Sequence, residues 1–112
     1  MLKKRYRLNK NKEFDQVFKH GSSAYSPSLG IKVVVNKLEN PRFAILVSKK
    51  VSKKAVDRNK IKRQIRDILR SDYAQKVNNC DVVVICLPSI LNKTFEGIKE
   101  DLKFAFSKLK LI

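Results

Sequence analysis

Residues 55–70 have the sequence AVDRNKIKRQIRDILR, and this stretch decides the fold. It contains neither glycine nor proline, and four apolar residues recur at helical spacing: Ile61, Ile65, Ile68 and Leu69. At 100° per residue, a polar set covers an adjoining arc of roughly 140°. That set is Arg58, Asn59, Lys62, Arg63, Arg66 and Arg70. The pattern predicts a helix with one stripe against a sheet and a basic stripe facing outward.

The basic stripe places like charges four residues apart, at Arg58, Lys62, Arg66 and Arg70. Each such pair is mildly unfavourable in an isolated helix, and an ordinary solvated helix face would mix charges of both signs. Guanidinium groups bind phosphate through paired hydrogen bonds and also stack on bases. The stripe therefore favours contact with a polyanion over a merely solvated face.

The charge of the whole chain gives the same indication. Residues 1–12 carry six basic residues and no acid, and residues 49–70 carry ten against Asp57 and Asp67. These segments, at +6 and +8, hold 14 of the 16 net charges. Such an excess repels itself unless a polyanion neutralises it, and nucleic acid is the first candidate. A membrane is the weaker candidate, because runs such as Val82 to Leu87 fall far short of the roughly 20 residues that span a bilayer.

Upstream of the basic helix, residues 1–10 predict an extended basic arm that becomes ordered on its partner. Asn11 is then a candidate cap for a short helix that Gly21 ends. Its apolar residues share one face: Phe14, Val17 and Phe18. A turn over Ser22 to Ser28 follows.

The rest of the chain predicts three strands and a helix. Leu29 to Leu38 and Arg42 to Ser48 are rich in β-branched residues, and Asp81 to Leu87 is a continuous apolar run typical of a strand covered on both faces. From Thr94 onward, apolar residues at helical spacing predict a second long helix. The length of 112 residues and the absence of repeats predict a single domain, 1–112.

Catalytic and metal-binding patterns are absent from the sequence. The ten acidic residues form no constellation for acid–base or two-metal chemistry, and His20 is the only histidine. Cys80 and Cys86 lack metal-site spacing and are interpreted as reduced thiols of a cytoplasmic protein. The basic start of the chain has no following apolar region, so no secretory signal is predicted.

The segment Arg58-Asn59-Lys60-Ile61-Lys62-Arg63-Gln64-Ile65-Arg66 resembles the basic helix of the bacterial ribonuclease P protein component, in which arginine is usual where Lys60 stands. The likeness extends to Val47-Ser48-Lys49-Lys50 and Lys54-Ala55-Val56. It also includes the opening Arg5-Tyr6-Arg7-Leu8 and the segment from Glu13 to Gly21. It covers nearly the whole chain.

The resemblance implies an α/β fold of the sandwich type, with a sheet of about four strands, helices at both chain ends and a left-handed β-α-β crossover around the basic helix. General handedness rules would give the opposite crossover. It also implies a function: assistance to a catalytic RNA that removes the 5′ leader from precursor tRNA. The RNA is the expected catalyst, the protein alone is expected to be inactive, and Mg²⁺ is expected to be held mainly by RNA.

The resemblance assigns two sets of residues, neither of them catalytic or metal-binding. The catalytic RNA is expected to contact Arg58, Asn59, Lys60, Lys62, Arg63, Arg66 and Arg70. The leader is expected to lie in a cleft formed by Lys12, Phe14, Phe18, His20, Lys49 and Lys50. On spacing alone Phe14 and Phe18 favour core positions, whereas the resemblance makes them stacking platforms for unpaired bases, and both alternatives stay open. A further aromatic common in the family aligns with Lys32, with Tyr25 nearby in the preceding turn.

The expected partners are ribonuclease P RNA and precursor tRNA, with no membrane and no obligatory protein partner. Two rival classes share parts of the pattern. A structural RNA-binding protein of ribosomal type would have the same charge but no need of a leader cleft. A self-sufficient nuclease is disfavoured by the missing acid–base constellation.

Overall fold

The computed structural model describes residues 3–111, which form a four-stranded mixed sheet with helices on both faces. The helices are α1 (Asn11–His20), α2 (Ala55–Ile68) and α3 (Phe95–Lys108), and the strands are β1 (Ser22–Tyr25), β2 (Leu29–Val35), β3 (Arg42–Leu46) and β4 (Cys80–Cys86). Short 3₁₀ turns occupy Lys4–Tyr6 and Pro88–Asn92, and a π turn, Leu69–Tyr73, follows α2. The predicted helix-on-sheet class is confirmed.

The strands lie in the order β1-β2-β4-β3. β2 is antiparallel to both β1 and β4, whereas β3 is parallel to β4, so that β3, α2 and β4 form a β-α-β unit. The handedness of this crossover stays a prediction. In the part of the chain that is described, no helix is long and apolar enough to cross a membrane.

The main core lies between the sheet and the two longer helices. Ile61, Ile65 and Ile68 of α2 are 5%, 0% and 0% exposed. The buried apolar residues of α3, each 0% exposed, are Ile98, Leu102, Ala105 and Phe106. They pack on the side chains of β4 that face this side, such as Val82 and Val84, both 0% exposed. Burying each such side chain contributes about 1.5–3 kcal/mol, so the apolar stripe holds α2 to the sheet.

On the opposite face of the sheet, α1 is the one helix among the described residues. Val17, fully buried, packs with Leu8 and with Val83 of β4 in a separate small cluster. Val83 is 0% exposed, so β4 is covered on both faces, as its continuous apolar run predicts.

The ends of α1 differ from prediction in detail. The helix begins at Asn11, but the capping position is Lys10, because Glu13 Oε1 accepts a hydrogen bond from the Lys10 N–H at 3.2 Å. Gly21 ends the helix with φ −76°, so the left-handed conformation that often requires glycine at a helix end is not adopted here. A Cβ at Gly21 would lie 2.4 Å from the carbonyl oxygen of Val17 and 3.0 Å from that of Val33. Glycine is needed for this close approach of helix and strand.

The basic start of the chain packs on the domain instead of extending from it as an arm. Tyr6 and Leu8 are 8% and 4% exposed, and the Leu8 N–H donates to the Phe43 carbonyl at 2.8 Å, beside a parallel bridge between Arg7 and Phe43. Met1 and Leu2, which belong to the predicted arm, lie outside the described residues.

Other boundaries move by a few residues. Ser22–Tyr25, predicted as part of a turn, forms the edge strand β1. β2 stops at Val35, since the Asn36 side chain accepts from the Leu38 N–H and donates to the Asn40 carbonyl, which turns the backbone. β3 likewise stops at Leu46, two residues early. α3 starts where predicted, with Thr94 Oγ1 accepting from the Gly97 N–H at 3.0 Å.

Candidate nucleic-acid interface

α2 presents its basic stripe away from the core, as its spacing predicts. The exposed members are Asn59, Arg63 and Arg66 of α2 and Arg70 of the π turn that follows it, and the half-buried members are Arg58 and Lys62. Lys60 is exposed too, but it lies on the other flank of the helix, in a depression shared with Ile90, Leu91 and Lys93. The structure therefore brings six of the seven predicted RNA-contacting residues onto one surface and separates Lys60 from them.

Arg58 has a second contact that the sequence pattern does not indicate. Its Nη1 donates to the Ser52 carbonyl at 2.9 Å, and the Ser52 hydroxyl donates to Asp57 at 2.9 Å. These bonds fasten the loop between β3 and α2, which carries Lys49 and Lys50, both exposed. Arg58 thus positions other basic residues besides offering its own charge.

The sheet face under α1 is only partly covered. Strand register places Ser23, Lys32, Val83 and Ala44 in one row across this face. The next row is Tyr25, Gly30, Ile85 and Leu46. Val83 is 0% exposed beneath the helix, whereas Leu46 is 39% and Tyr25 48% exposed. The second row is therefore an open floor beside α1, and we call it the cleft floor.

Phe14 and Phe18 lie on the flank of α1 that borders this floor. Phe14 is half-buried against the small cluster around Val17, and Phe18 is 43% exposed, with Lys32 Nζ 5.7 Å from its ring centroid. Val17 has the core position between them. The two aromatics therefore differ: Phe14 combines packing with exposure, and Phe18 offers a ring face next to a cation.

A groove of about 240 Å³ connects the two candidate surfaces. Phe14 lines one side of it, Arg66 of α2 lines another, and Ala44 to Leu46 lie along β3. Arg7 and Asn9 complete its rim. The sequence alone does not indicate that the basic helix and the aromatic flank of α1 meet here, because the joining segments are far apart along the chain.

Other predicted leader residues are more scattered. Lys12 is exposed on the opposite flank of α1, in a groove of about 460 Å³ with Gln16 and Lys37, and the structure does not bring it together with Phe14 and Phe18. His20 is exposed at the last position of α1. Lys49 and Lys50 follow β3 beyond the Leu46 end of the floor.

The groove around Lys12 contains an ion-pair network that fixes α1 on the sheet. Arg42 donates from Nε and Nη2 to Asp81, at 2.9 and 2.8 Å, and also pairs with Glu13 of α1. The hydrogen bond to Asp81 is the main reason that the pKa of Arg42 is raised above its ordinary value. Asn36 Nδ2 also donates to Asp81, so this 4% exposed carboxylate is well satisfied.

Groups for metal or nucleophilic chemistry do not converge on these surfaces. Within residues 3–111 no three His, Cys, Asp or Glu side chains are placed to hold a metal ion. Cys80 and Cys86 are free and buried, and burial raises their pKa to about 11 and about 12. A raised pKa leaves the thiols protonated and unreactive near neutral pH.

Comparisons with known protein sequences all identify the same family. Residues 2–110 match the model of the family described as Ribonuclease P. The chain is 38% identical over 101 residues to the ribonuclease P protein component of Syntrophomonas wolfei, covering 90% of this chain and 84% of that one. It is 37% identical over 112 residues to the Bacillus pumilus protein component, with 96% and 90% covered.

Solved structures agree. A mutant of the Staphylococcus aureus ribonuclease P protein superposes with a TM-score of 0.90 at 31% identity, covering 97% of this chain and 92% of that one. The Thermotoga maritima ribonuclease P protein gives a TM-score of 0.81 at 27% identity, with 91% and 96% covered.

Proposed function

The chain belongs to the ribonuclease P protein component family, the protein subunit of a tRNA-processing ribonucleoprotein, and from that premise we propose how its two surfaces divide the work. The basic stripe of α2 binds the catalytic RNA, and the cleft between α1 and the sheet holds the single-stranded 5′ leader of precursor tRNA. One observation carries this proposal. The groove lined by both Phe14 and Arg66 makes the two surfaces continuous, so that an RNA on α2 lies next to a leader in the cleft.

The stripe suits a folded RNA because each exposed arginine can bind a phosphate through two parallel hydrogen bonds. The core beneath the arginines is not disturbed by such contacts. The cleft suits an unpaired strand because it offers ring faces and cations, which bind bases and phosphates of any sequence. Leader recognition of this kind is weakly sequence-dependent.

The chemistry itself is assigned to the RNA. In this proposal the RNA subunit is the catalyst, Mg²⁺ is held mainly by RNA, and the protein alone cleaves nothing. Membership of a family whose relatives are named as a protein component supports this division. The place of action we propose is the cytoplasm, with precursor tRNA as the substrate.

Reconstitution tests this proposal against its rivals. Leader removal is measured with the protein alone, with ribonuclease P RNA alone at low Mg²⁺, and with both. Activity only with both, at low Mg²⁺, is the expected result. Cleavage by the protein alone would show a self-sufficient nuclease, and no gain over RNA alone would show an RNA-binding protein of another class.

The cleft assignment has its own test in Phe18→Ala. Because Phe18 is 43% exposed, the melting temperature should stay nearly unchanged. Binding of the holoenzyme to precursor tRNA should weaken by about 1–3 kcal/mol, the usual loss of one base-stacking platform, while binding to mature tRNA is spared. Phe104→Ala is the matched control, since Phe104 is an exposed aromatic of α3 with Lys108 Nζ 5.5 Å from its ring. An equal effect of both variants would contradict the assignment.

A further inference from the structure

Tyr25 lies against the backbone of Gly30 on the cleft floor. The two residues are paired across β1 and β2, and a Cβ built on Gly30 would lie 2.3 Å from two Tyr25 ring atoms. No side chain could occupy that position with the ring in place. Glycine in a strand interior weakens the strand, so its presence here is explained by the close approach of the ring.

Tyr25 nevertheless remains accessible. Its side chain is 48% exposed although it rests on the sheet, because it lies at the β1 end of its row, whereas Ile85 in the middle of the row packs against the cluster around Val17. Register places it on the same face as Lys32, whose ammonium group lies over Phe18. The β1 side of the cleft therefore has two partly exposed rings, Tyr25 and Phe18, with a cation beside one of them.

The position of Tyr25 relative to α2 decides which part of a bound strand it can meet. β1 and β3 are the two edges of the sheet, three strand spacings or roughly 14 Å apart. The groove that joins the cleft to Arg66 lies at the β3 edge. A leader that leaves the catalytic RNA at α2 and crosses the floor reaches Tyr25 last.

We infer that Tyr25, supported on Gly30, is a stacking platform for a leader base distant from the scissile bond. The ligand is single-stranded RNA, since an aromatic face accepts any unpaired base and Lys32, on the same face of the sheet, can neutralise a phosphate. This inference deepens the proposed leader site and rests on it. It adds a contact, on an edge strand, beyond the aromatic flank of α1.

The test compares leader-length profiles. The affinity of the reconstituted holoenzyme for precursor tRNA is measured with leaders of increasing length, starting from mature tRNA. For the wild type, affinity rises with each added nucleotide until the floor is filled. Tyr25→Ala should end this rise earlier and lower the affinity for long leaders by about 5- to 100-fold, with short leaders unaffected. Tyr25→Phe keeps the ring and should keep the wild-type profile.

Gly30→Ala provides a second, independent variant. The new methyl group displaces the Tyr25 ring, whose atoms are its nearest contacts, and should reproduce the profile of Tyr25→Ala in a protein that retains every aromatic residue. In the Tyr25→Ala background the same change should have no further effect, because no ring remains to displace. Thermal melts of each variant show that it is folded.

The outcomes separate this inference from the leader site itself. Wild-type profiles for Tyr25→Ala and Gly30→Ala, with a loss in Phe18→Ala, would overturn the role of Tyr25 and leave the cleft in place. Unchanged profiles in all three would overturn the cleft and the inference together. A loss in Tyr25→Phe equal to that in Tyr25→Ala would refute stacking, since the ring is still present.

Discussion

Arg42 illustrates how much of this structure rests on a single side chain. It joins Glu13 of α1 to Asp81 of β4, and those residues lie 29 and 39 positions from it along the chain. Spacing along a sequence gives no indication of such pairs, because they form only when the sheet is assembled. The residues that fix α1 over the sheet were therefore not predictable.

Arg42→Ala should strongly destabilise the protein. It leaves the buried Asp81 carboxylate with Asn36 as its remaining side-chain donor, and removing one partner of a buried ion pair typically costs about 3–5 kcal/mol. We expect the low end of that range, since Arg42 is itself partly exposed. Chemical denaturation measures the change, with Lys37→Ala as the control, because Lys37 is an exposed cation lining the same groove. Equal stability of the two variants would contradict this account.

Three buried acidic groups predict a loss of stability at high pH. Burial raises the pKa of Tyr73 to about 12, of Cys80 to about 11 and of Cys86 to about 12. The folded protein therefore holds these protons at a pH where the unfolded chain has released them. Their contribution to the free energy of unfolding is complete below the ordinary thiol pKa of 9.0 and is lost as pH rises through the folded values.

Urea unfolding measured across this range should show stability falling above about pH 9. Cys86→Ala should be less stable than the wild type near neutral pH, because it leaves space in the core, yet its stability should fall less steeply with pH. A parallel decline in both proteins would exclude Cys86 as a source of the effect.

At the scale of elements, the different flanks of α1 and of α2 have different surroundings. In α1, Val17 faces the core, the Phe14 and Phe18 flank borders the cleft, and Lys12 lies on the other side. In α2 the apolar stripe faces the core and the arginines face outward. In a helix divided in this way, the exposed side chains can be substituted without changing the packing of the buried ones.

Arg66→Ala and Arg58→Ala should therefore differ. Each should weaken binding to ribonuclease P RNA by roughly 1–3 kcal/mol through lost charge-assisted hydrogen bonds. Arg66→Ala should leave the melting temperature unchanged, whereas Arg58→Ala should also lower it slightly, because Arg58 holds the loop at Ser52. RNA affinity and thermal melts are measured together, with Lys103→Ala of α3 as a charge-matched control on an exposed site. Equal losses of affinity in all three variants would show only a general charge effect.

Periodicity was sufficient to predict α1, α2, α3 and the three longer strands, because each has a long stripe or run of apolar residues. It missed β1, in which Ala24 is the one buried residue of the four from Ser22 to Tyr25. Periodicity could not predict the register between strands either. The face of Tyr25 depends on its pairing with Gly30, so a residue predicted in a turn proved to lie on the cleft floor.

At the scale of the whole molecule, the net charge of +16 should dominate the binding of RNA. If about six phosphates are contacted, counterion release should lower RNA affinity by several hundredfold or more as salt rises from roughly 50 to 200 mM. Filter binding or fluorescence titration over that range measures the slope. A nearly flat response would contradict binding by charge, and a slope that Arg66→Ala fails to reduce would remove Arg66 from the contacts.

The strand order also governs how the polypeptide acquires its shape. β2 and β3 follow one another in the chain but do not touch, and both pair with β4, which begins at Cys80. As the chain leaves the ribosome, β2 and β3 are therefore synthesised before β4, the strand with which both of them pair. The sheet is completed only through contacts between residues that are distant in sequence. Such non-local closure slows folding and leaves strand edges exposed to aggregation in the meantime. β4 is the last strand to be synthesised, so a chain that ends before it lacks the β2–β4 and β3–β4 ladders and can form only the β1–β2 hairpin and the short bridge between Arg7 and Phe43.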